Sequence, residues 1–322
     1  MLKLLVDKHI EYILSFSNKL IEYSEDECRK LQNINWVSNA LFVLGRKDLI
    51  PRKEVIDFVM SCKYEDDTIE AFGQIPFSDP HLLNTLYAVQ ILTLCDSIDK
   101  VNPDKIAKFL DVSSLQDPET GAFRGYFWNE IDARFVYGAV CCLSIIDRLD
   151  TINCEKVVEW ILKCQNYDGG FGEIPGSESH AGHVLSCIAT LSLLKRLDAI
   201  DVNLVSSWLS ERQVLSGGLN GRPEKIEDVC YSWWVFSPLV MMNRSLWIDN
   251  ERLINYILSC QEEKDFEKGG ISERQNGFPD LFHTSVGIIS LSILKYPGLL
   301  EMSPDYFLPL EVVQKLNMNK NS

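Results

Sequence analysis

One short pattern returns along this chain at nearly constant spacing, and it limits the fold more than any other feature. Cys62-Lys63, Leu115-Gln116, Cys164-Gln165, Arg212-Gln213 and Cys260-Gln261 fall at steps of 53, 49, 48 and 48 residues. A polar, often glycine-rich turn follows each: Ala71-Phe72-Gly73, Thr120-Gly121-Ala122-Phe123, Asp168-Gly169-Gly170-Phe171, Ser216-Gly217-Gly218-Leu219 and Lys268-Gly269-Gly270-Ile271. Recurrence in one frame at this period marks a stack of repeated units, each too small to bury its own apolar face.

Two kinds of helix alternate around these turns. Before the turn the apolar residues keep to one side: Val55, Phe58, Val59 and Cys62; Val157, Val158, Ile161 and Leu162; Leu204, Val205, Trp208 and Leu209; Leu253, Ile254, Ile257 and Leu258. That spacing predicts a one-sided outer helix. Pro51, Pro103 and Asp249-Asn250-Glu251 suit the first turns of such helices. After the turn, His81–Leu94, Ala133–Ile146, His180–Leu194, Cys230–Met241 and His283–Leu294 are apolar nearly all round, with small residues such as Ala88, Gly138, Ala139 and Gly182. A helix apolar on every side is expected to be buried on every side. A sixth, weaker pair is expected near Trp36–Leu44. Over 322 residues, six pairs predict an all-α fold, an α6–α6 barrel closed into a ring, as a single domain over residues 1–322. Residues 1–10 and 315–322 are expected to be frayed. Pro238 falls inside an inner helix and is expected to kink it.

Composition removes several function classes. Thirty-one basic against 46 acidic residues leave a net charge of −15, a poor basis for nucleic-acid binding, which needs Lys and Arg against phosphates. A basic protein partner remains compatible. The longest apolar stretch, Val184–Leu194, is broken by serines and too short for a transmembrane segment. The charged start Met1-Leu2-Lys3-Leu4-Leu5-Val6-Asp7-Lys8 is unlike a signal peptide. The ten cysteines form no CxxC pair and read as reduced thiols of a cytoplasmic protein, mostly in the core.

The starts of the inner helices carry chemistry that a plain scaffold does not need. Only five histidines exist, and His81, His180 and His283 stand at these starts. Asp228, Cys230 and His283 offer a carboxylate, a thiolate and an imidazole from adjacent units, the donor set of a zinc site with an open fourth place. Each also has a plain reading: a histidine as a cap, an Asp-x-Cys pair by accident. Arg222 and Lys225 are either a solvated loop or a clamp for a diphosphate, to which His180 and Tyr231 can add donors. Trp36, Phe135, Tyr137, Trp233 and Trp234 are either core or the wall of an apolar cavity. A positive rim over a greasy tunnel suits a diphosphate with a hydrocarbon tail.

These residues resemble a known family. Cys164-Gln165-Asn166-Tyr167-Asp168-Gly169-Gly170-Phe171-Gly172 with Pro175-Gly176-Ser177-Glu178-Ser179-His180-Ala181-Gly182 is similar to the β subunit of protein prenyltransferases. So is Ser216-Gly217-Gly218-Leu219-Asn220-Gly221-Arg222-Pro223-Glu224-Lys225, running into Asp228-Val229-Cys230-Tyr231-Ser232-Trp233-Trp234-Val235. The segments Asp79-Pro80-His81-Leu82-Leu83, Ala88-Val89-Gln90-Ile91-Leu92-Thr93-Leu94 and Leu246-Trp247-Ile248-Asp249 resemble the Rab geranylgeranyltransferase (type II) branch. The resemblance covers the chain from about Tyr12 to Val313. It implies a barrel paired with a helical α subunit, and one zinc ion on Asp228, Cys230 and His283. It implies geranylgeranyl diphosphate held by His180, Arg222, Lys225 and Tyr231, with Trp234 and Trp36 along the lipid. Leu86 and Phe282 fit the geranylgeranyl type, because less bulk at the tunnel floor leaves room for twenty carbons. Gln32 departs from the pattern, since a smaller residue is expected there, and so does the loop 65–79, which lacks the double glycine. Asp280 is placed to orient His283 and Arg134 to touch the protein substrate.

The implied activity is zinc-dependent transfer of a geranylgeranyl group to C-terminal cysteines of Rab GTPases presented by a Rab escort protein. A magnesium requirement is not legible. The alternatives are a CaaX-type farnesyl- or geranylgeranyltransferase β subunit, a terpene cyclase and a non-enzymatic helical scaffold. A cyclase needs an acidic motif that the sequence does not convincingly offer.

Overall fold

The computed structural model describes residues 2–16, 30–111, 114–126, 130–262 and 269–320. Six helix pairs follow one another. The outer members are α1 (Val6–Ser15), α3 (Arg52–Ser61), α5 (Pro103–Leu110), α7 (Cys154–Cys164), α9 (Val202–Ser210) and α11 (Asn250–Ser259). The inner members are α2 (Lys30–Val43), α4 (Leu82–Leu94), α6 (Ala133–Ile145), α8 (Ala181–Leu193), α10 (Tyr231–Met241) and α12 (Leu281–Ile293), and α13 (Leu310–Lys320) ends the chain. Each inner helix packs on the next, and α12 packs back on α2, so the ring closes.

The repeated glutamine explains the period. Gln116 and Gln213 each exchange hydrogen bonds in both directions with the backbone of the residue that starts the next outer helix, Asn153 and Asp249. In the last unit Gln261 turns the same amide to Leu5 N and Lys3 O, ahead of α1. The final unit thus treats the first as its successor. His9 seals that seam: its Nε2 lies 2.9 Å from Gln261 Oε1, and its Nδ1 accepts from Gly270 N at 3.1 Å. Within the stretch 1–10 expected to be frayed, the described residues are ordered into a helix only from Val6 onward. There His9 and Ile10 are buried, held by partners more than 250 residues away that local sequence does not reveal. Residues 315–320 likewise continue α13, anchored by buried Val313 and by Leu316; residues 1, 321 and 322 lie outside the described set.

A second series of bonds gathers the loops at one mouth. An N–H at or just before the start of an inner helix donates to a carbonyl of the following unit's loop: Leu82 to Gly125, Ala133 to Glu173, Ala181 to Gly221 and Val229 to Glu273. In most units the turn closes with one isolated bridge, such as Gln165 to Phe171 or Gln213 to Leu219. The unit with the loop 65–79 extends this into a hairpin, Lys63–Glu65 on Glu70–Phe72. Two further short antiparallel pairs are Ile271–Ser272 with Pro279–Asp280 and Met302–Ser303 with Leu308–Pro309.

Inner helices are buried nearly all round, as their composition requires. On the outer helices two expectations fail: Leu162 and Leu204 sit at the edge of the apolar stripe and are exposed, while Trp160 and Trp208 fill the interface. Pro238 lies within α10. Described cysteines are free thiols, and all but half-buried Cys154 are buried. Among the described residues no helix is long and apolar enough to cross a membrane.

Candidate active site at the mouth of the ring

The loop and first turn of units five and six bring Asp228, Cys230 and His283 together. Their donor atoms all lie within 4.8 Å of one another. Asp228 Oδ1 accepts the Cys230 N–H at 2.8 Å and lies 3.1 Å from His283 Nε2. Asp280, the N-cap of α12, accepts the His283 N–H through Oδ1 at 2.8 Å and holds Nδ1 through Oδ2 at 2.5 Å. Nδ1–H therefore donates to Asp280, and Nε2 is turned toward Asp228 and Cys230, the orientation a metal-binding histidine needs.

Burial and mutual hydrogen bonds set the electrostatics of the trio. Burial, and then the Asp228 carboxylate, push the Cys230 thiol far above its ordinary range. Burial also works against a charge on His283, but hydrogen bonds to Asp228 and Asp280 outweigh it and raise the imidazole to about 9. The same His283 bond and the Cys230 N–H hold Asp228 below its usual value despite burial. With the carboxylates already matched by a protonated His283, the Cys230 thiol stays protonated, and a divalent cation taking the place of the imidazole proton would favour its ionised form. One sulfur, one nitrogen and one oxygen donor, with an orienting carboxylate behind the histidine, suit a zinc-like ion rather than calcium or magnesium.

Beside this trio lies a pocket of about 530 Å³ whose lining combines the cations Arg222, Lys225 and Arg274 with the carboxylates Glu227 and Asp228, and with His180 and Tyr231. His180 is the N-cap of α8, and its Nδ1 accepts the Gly182 N–H at 3.1 Å. Burial, with His183 and Arg222 nearby, lowers its pKa to about 4. Neutral His180 therefore carries its proton on Nε2, 3.4 Å from the Tyr231 hydroxyl. Arg222 is paired with Glu178, and Arg274 with Glu273 at 2.6 Å. Arg274 is a rim cation that sequence reasoning missed, since no repeat position marks it.

The pocket shares His180 with a second cavity of about 1120 Å³ inside the ring. Trp36, Leu86, Trp234 and Phe282, all expected on a lipid wall, line it. Phe282 packs on Trp36 with ring centres 4.5 Å apart and reaches Trp234 at 6.4 Å. Gln32 lines the cavity too and donates to Tyr87 Oη at 3.0 Å. Arg134 stands in the same wall, its Nε bonded at 2.6 Å to fully buried Asp132. Tyr137 and Trp233, read from sequence as either core or cavity wall, line it as well, whereas Phe135 is buried in the core; Gln90 and Phe307 also line it without having been singled out. Phe307 carries no sequence signal, because it reaches the cavity only through a late hairpin.

A closed α/α ring carries at its mouth a three-donor cluster and a basic pocket, and the pocket shares His180 with an interior cavity lined by both aromatic and polar side chains. The chain belongs to the prenyltransferase alpha-alpha toroid domain family, whose pattern it matches over residues 4–308. It is 42% identical over 98% of its length to the geranylgeranyl transferase type-2 subunit beta of Saccharomyces cerevisiae, covering 97% of that protein. It is 43% identical to the type-2 subunit beta 1 of Arabidopsis thaliana, with 99% and 98% covered. The farnesyltransferase subunit beta of Schizosaccharomyces pombe is 30% identical, with 90% and 78% covered. In fold, the chain superposes on Candida albicans protein geranylgeranyltransferase-I, solved complexed with GGPP, at a TM-score of 0.85 and 24% identity, covering 98% of both chains. This protein is thus a prenyltransferase β-type subunit, and these two type-2 relatives exceed the farnesyl relative by twelve and thirteen points of identity.

Proposed function

We propose that this chain is the catalytic β subunit of a cytoplasmic Rab-type geranylgeranyltransferase. It moves a geranylgeranyl group from geranylgeranyl diphosphate to C-terminal cysteine thiols of Rab GTPases, as thioethers. Its partners in this reading are a helical α subunit and a Rab escort protein. The observation that carries it is the junction at His180, which lines both the basic pocket beside Asp228, Cys230 and His283 and the cavity that holds Trp36, Trp234 and Phe282.

Asp228, Cys230 and His283 would hold one zinc ion, which when bound supplies a positive charge that keeps an acceptor thiol ionised at neutral pH. Asp280 fixes the ring of His283. The cationic pocket receives the diphosphate, and negative charge grows on it as the carbon–oxygen bond breaks. Arg222 and Lys225 supply fixed charge there, and His180 Nε2–H and the Tyr231 hydroxyl supply hydrogen bonds. The cavity keeps the hydrocarbon out of water, with Trp36, Trp234 and Phe282 against it and Leu86 leaving space. Arg134, held by Asp132, faces the same space from α6 and is the residue proposed to meet the protein substrate.

The test is a transfer assay on this chain co-expressed with an α subunit, with labelled geranylgeranyl diphosphate, Rab and escort protein. Escort-dependent label on Rab, lost in Cys230→Ala together with about one equivalent of zinc, supports the proposal. Label on a short CaaX peptide without escort moves the chain to the CaaX type. No transfer and no bound zinc overturns it.

A further inference from the structure

The loop that carries His283 is tied down from the far end of the chain. Pro279 and Asp280 pair with Ser272 and Ile271 in a ladder only two residues long. Proline has no N–H to give to a ladder, so this strand is held weakly by its own hairpin. Its carbonyl accepts the Tyr12 hydroxyl of α1 at 2.9 Å, across 267 positions of sequence. Helix α1 also packs on α12, the helix that this strand starts.

The approach of Tyr12 is built into the loop. Gly270, at a φ of +94°, lies between the tyrosine and the strand: a Cβ there would stand 2.7 Å from Pro279 Cβ and 3.1 Å from the Tyr12 ring. Only glycine combines that backbone with that closeness. Burial, and then the Asp280 carboxylate, raise the Tyr12 phenol to about 12, so the hydroxyl keeps its proton and donates. Asp280 comes next in the chain. Its carbonyl accepts Thr284 Oγ1 at 2.6 Å, and Thr284 Oγ1 accepts the Ile271 N–H at 2.8 Å. Its carboxylate, which is half exposed, bonds the N–H and Nδ1 of His283. A half-exposed carboxylate keeps one direction only if its backbone is fixed. Thr284 fixes that backbone from α12, and Tyr12 fixes it from α1.

We propose that Tyr12 is a positioning residue of the metal site: through Pro279 it fixes Asp280, and through Asp280 the imidazole of His283. The inference rests on the reading of Asp228, Cys230 and His283 as a zinc site. The reason lies in ring closure. The loop of the last unit meets the outer helix of the first, and that helix supplies a side-chain donor to the strand that leads to His283. Closing the ring and orienting a metal ligand are then one event, and the N-terminal helix takes part in both.

The experiment measures zinc affinity by chelator competition on this chain in complex with an α subunit, as wild type, Tyr12→Phe, Asp280→Asn and Tyr296→Phe. Melting temperature is read alongside, and cobalt is substituted for zinc because its visible bands report ligand geometry. Tyr296→Phe is the control: the Tyr296 hydroxyl accepts the Leu4 N–H at 3.1 Å on the same terminal segment and is no part of the link through Pro279. Loss of the carboxylate behind a metal-bound histidine costs about 10- to 100-fold in metal affinity, the result expected for Asp280→Asn. Tyr12→Phe, which only loosens that carboxylate, is expected to weaken zinc about three- to tenfold and to shift the cobalt bands. Placed on top of Asp280→Asn it should cost little more. Tyr296→Phe should change neither zinc affinity nor spectrum. Unchanged affinity and spectrum in Tyr12→Phe overturn the proposal, and so does equal weakening in Tyr296→Phe, which would mean a general loosening of the seam. If the wild type holds no zinc, the metal reading fails and the proposal with it. If the wild type holds zinc and Tyr12→Phe holds it as tightly, only the proposal fails.

Discussion

Replacing Gly221 by alanine should disable the cationic pocket without altering any side chain that lines it. Gly221 packs flat against the Tyr231 ring, and a Cβ placed there would fall inside the ring's van der Waals envelope, 2.5 Å from the hydroxyl oxygen. Ordinary contacts run at about 3.5–4.0 Å, so Tyr231 or the loop must move by roughly 1 Å. The Gly221 carbonyl also accepts the Ala181 N–H at 2.9 Å, so a moving loop carries the start of α8, and with it His180. A displacement of about 1 Å in a positioned group can cost about 10²-fold, and complete loss of one charge-stabilising donor costs about 2.7–4 kcal/mol. The variant should therefore fall about 10²- to 10³-fold in kcat/KM for prenyl transfer, with bound metal unchanged. A double-mutant cycle isolates the cause. With Tyr231→Ala already in place the clash partner is gone, and Gly221→Ala should cost little more. Activity within about twofold of wild type for Gly221→Ala, or full additivity in the cycle, would refute this reasoning.

Asn35→Leu strands the Gln90 carbonyl and one Asn39 N–H, both buried, and should destabilise by about 1–3 kcal/mol per stranded group; urea unfolding measures it, and a change under about 0.5 kcal/mol would count against a stabilising role for these bonds. His9 gives a pH signature. Burial lowers its pKa below 6.5 despite the bond to Gln261, so above 6.5 folded and unfolded chains both hold it neutral and its contribution is fully present. As pH falls below 6.5 the unfolded chain takes up the proton first, and stability declines by at most about 1.4 kcal/mol per pH unit until the folded pKa is reached. Denaturation midpoints at pH 7.5 and 5.5 should show a drop that His9→Gln reduces.

The period of 48 to 53 residues and the contrast between one-sided and all-round apolar helices were enough to predict six pairs in a ring. Both are local properties: amphipathicity depends on spacing of three and four residues, and the turns announce themselves by glycine. The metal trio was legible for a related reason. Asp228 and Cys230 are neighbours in sequence, and His283 sits at the equivalent start one repeat later, so repeat register predicted the meeting that the donor distances show. Arg222 and Lys225 stood out as cations in an acidic chain, and the family resemblance grouped them with His180 and Tyr231, with which they share one pocket.

What sequence did not disclose depends on contacts across the ring. The helix at Val6 is held by Gln261 and Gly270, and neither partner can be inferred from residues 1–10. Arg274 joins the rim because its loop folds beside the mouth. The buried amides Asn35, Asn39 and Gln90 read locally as blemishes in apolar helices, and only the hairpin lodged inside the ring gives them partners. Repeat patterns state which face of a helix turns inward, because that choice is made within a few residues. They do not state what fills the centre of a closed ring, which is decided where all six inner helices and the hairpin tip meet.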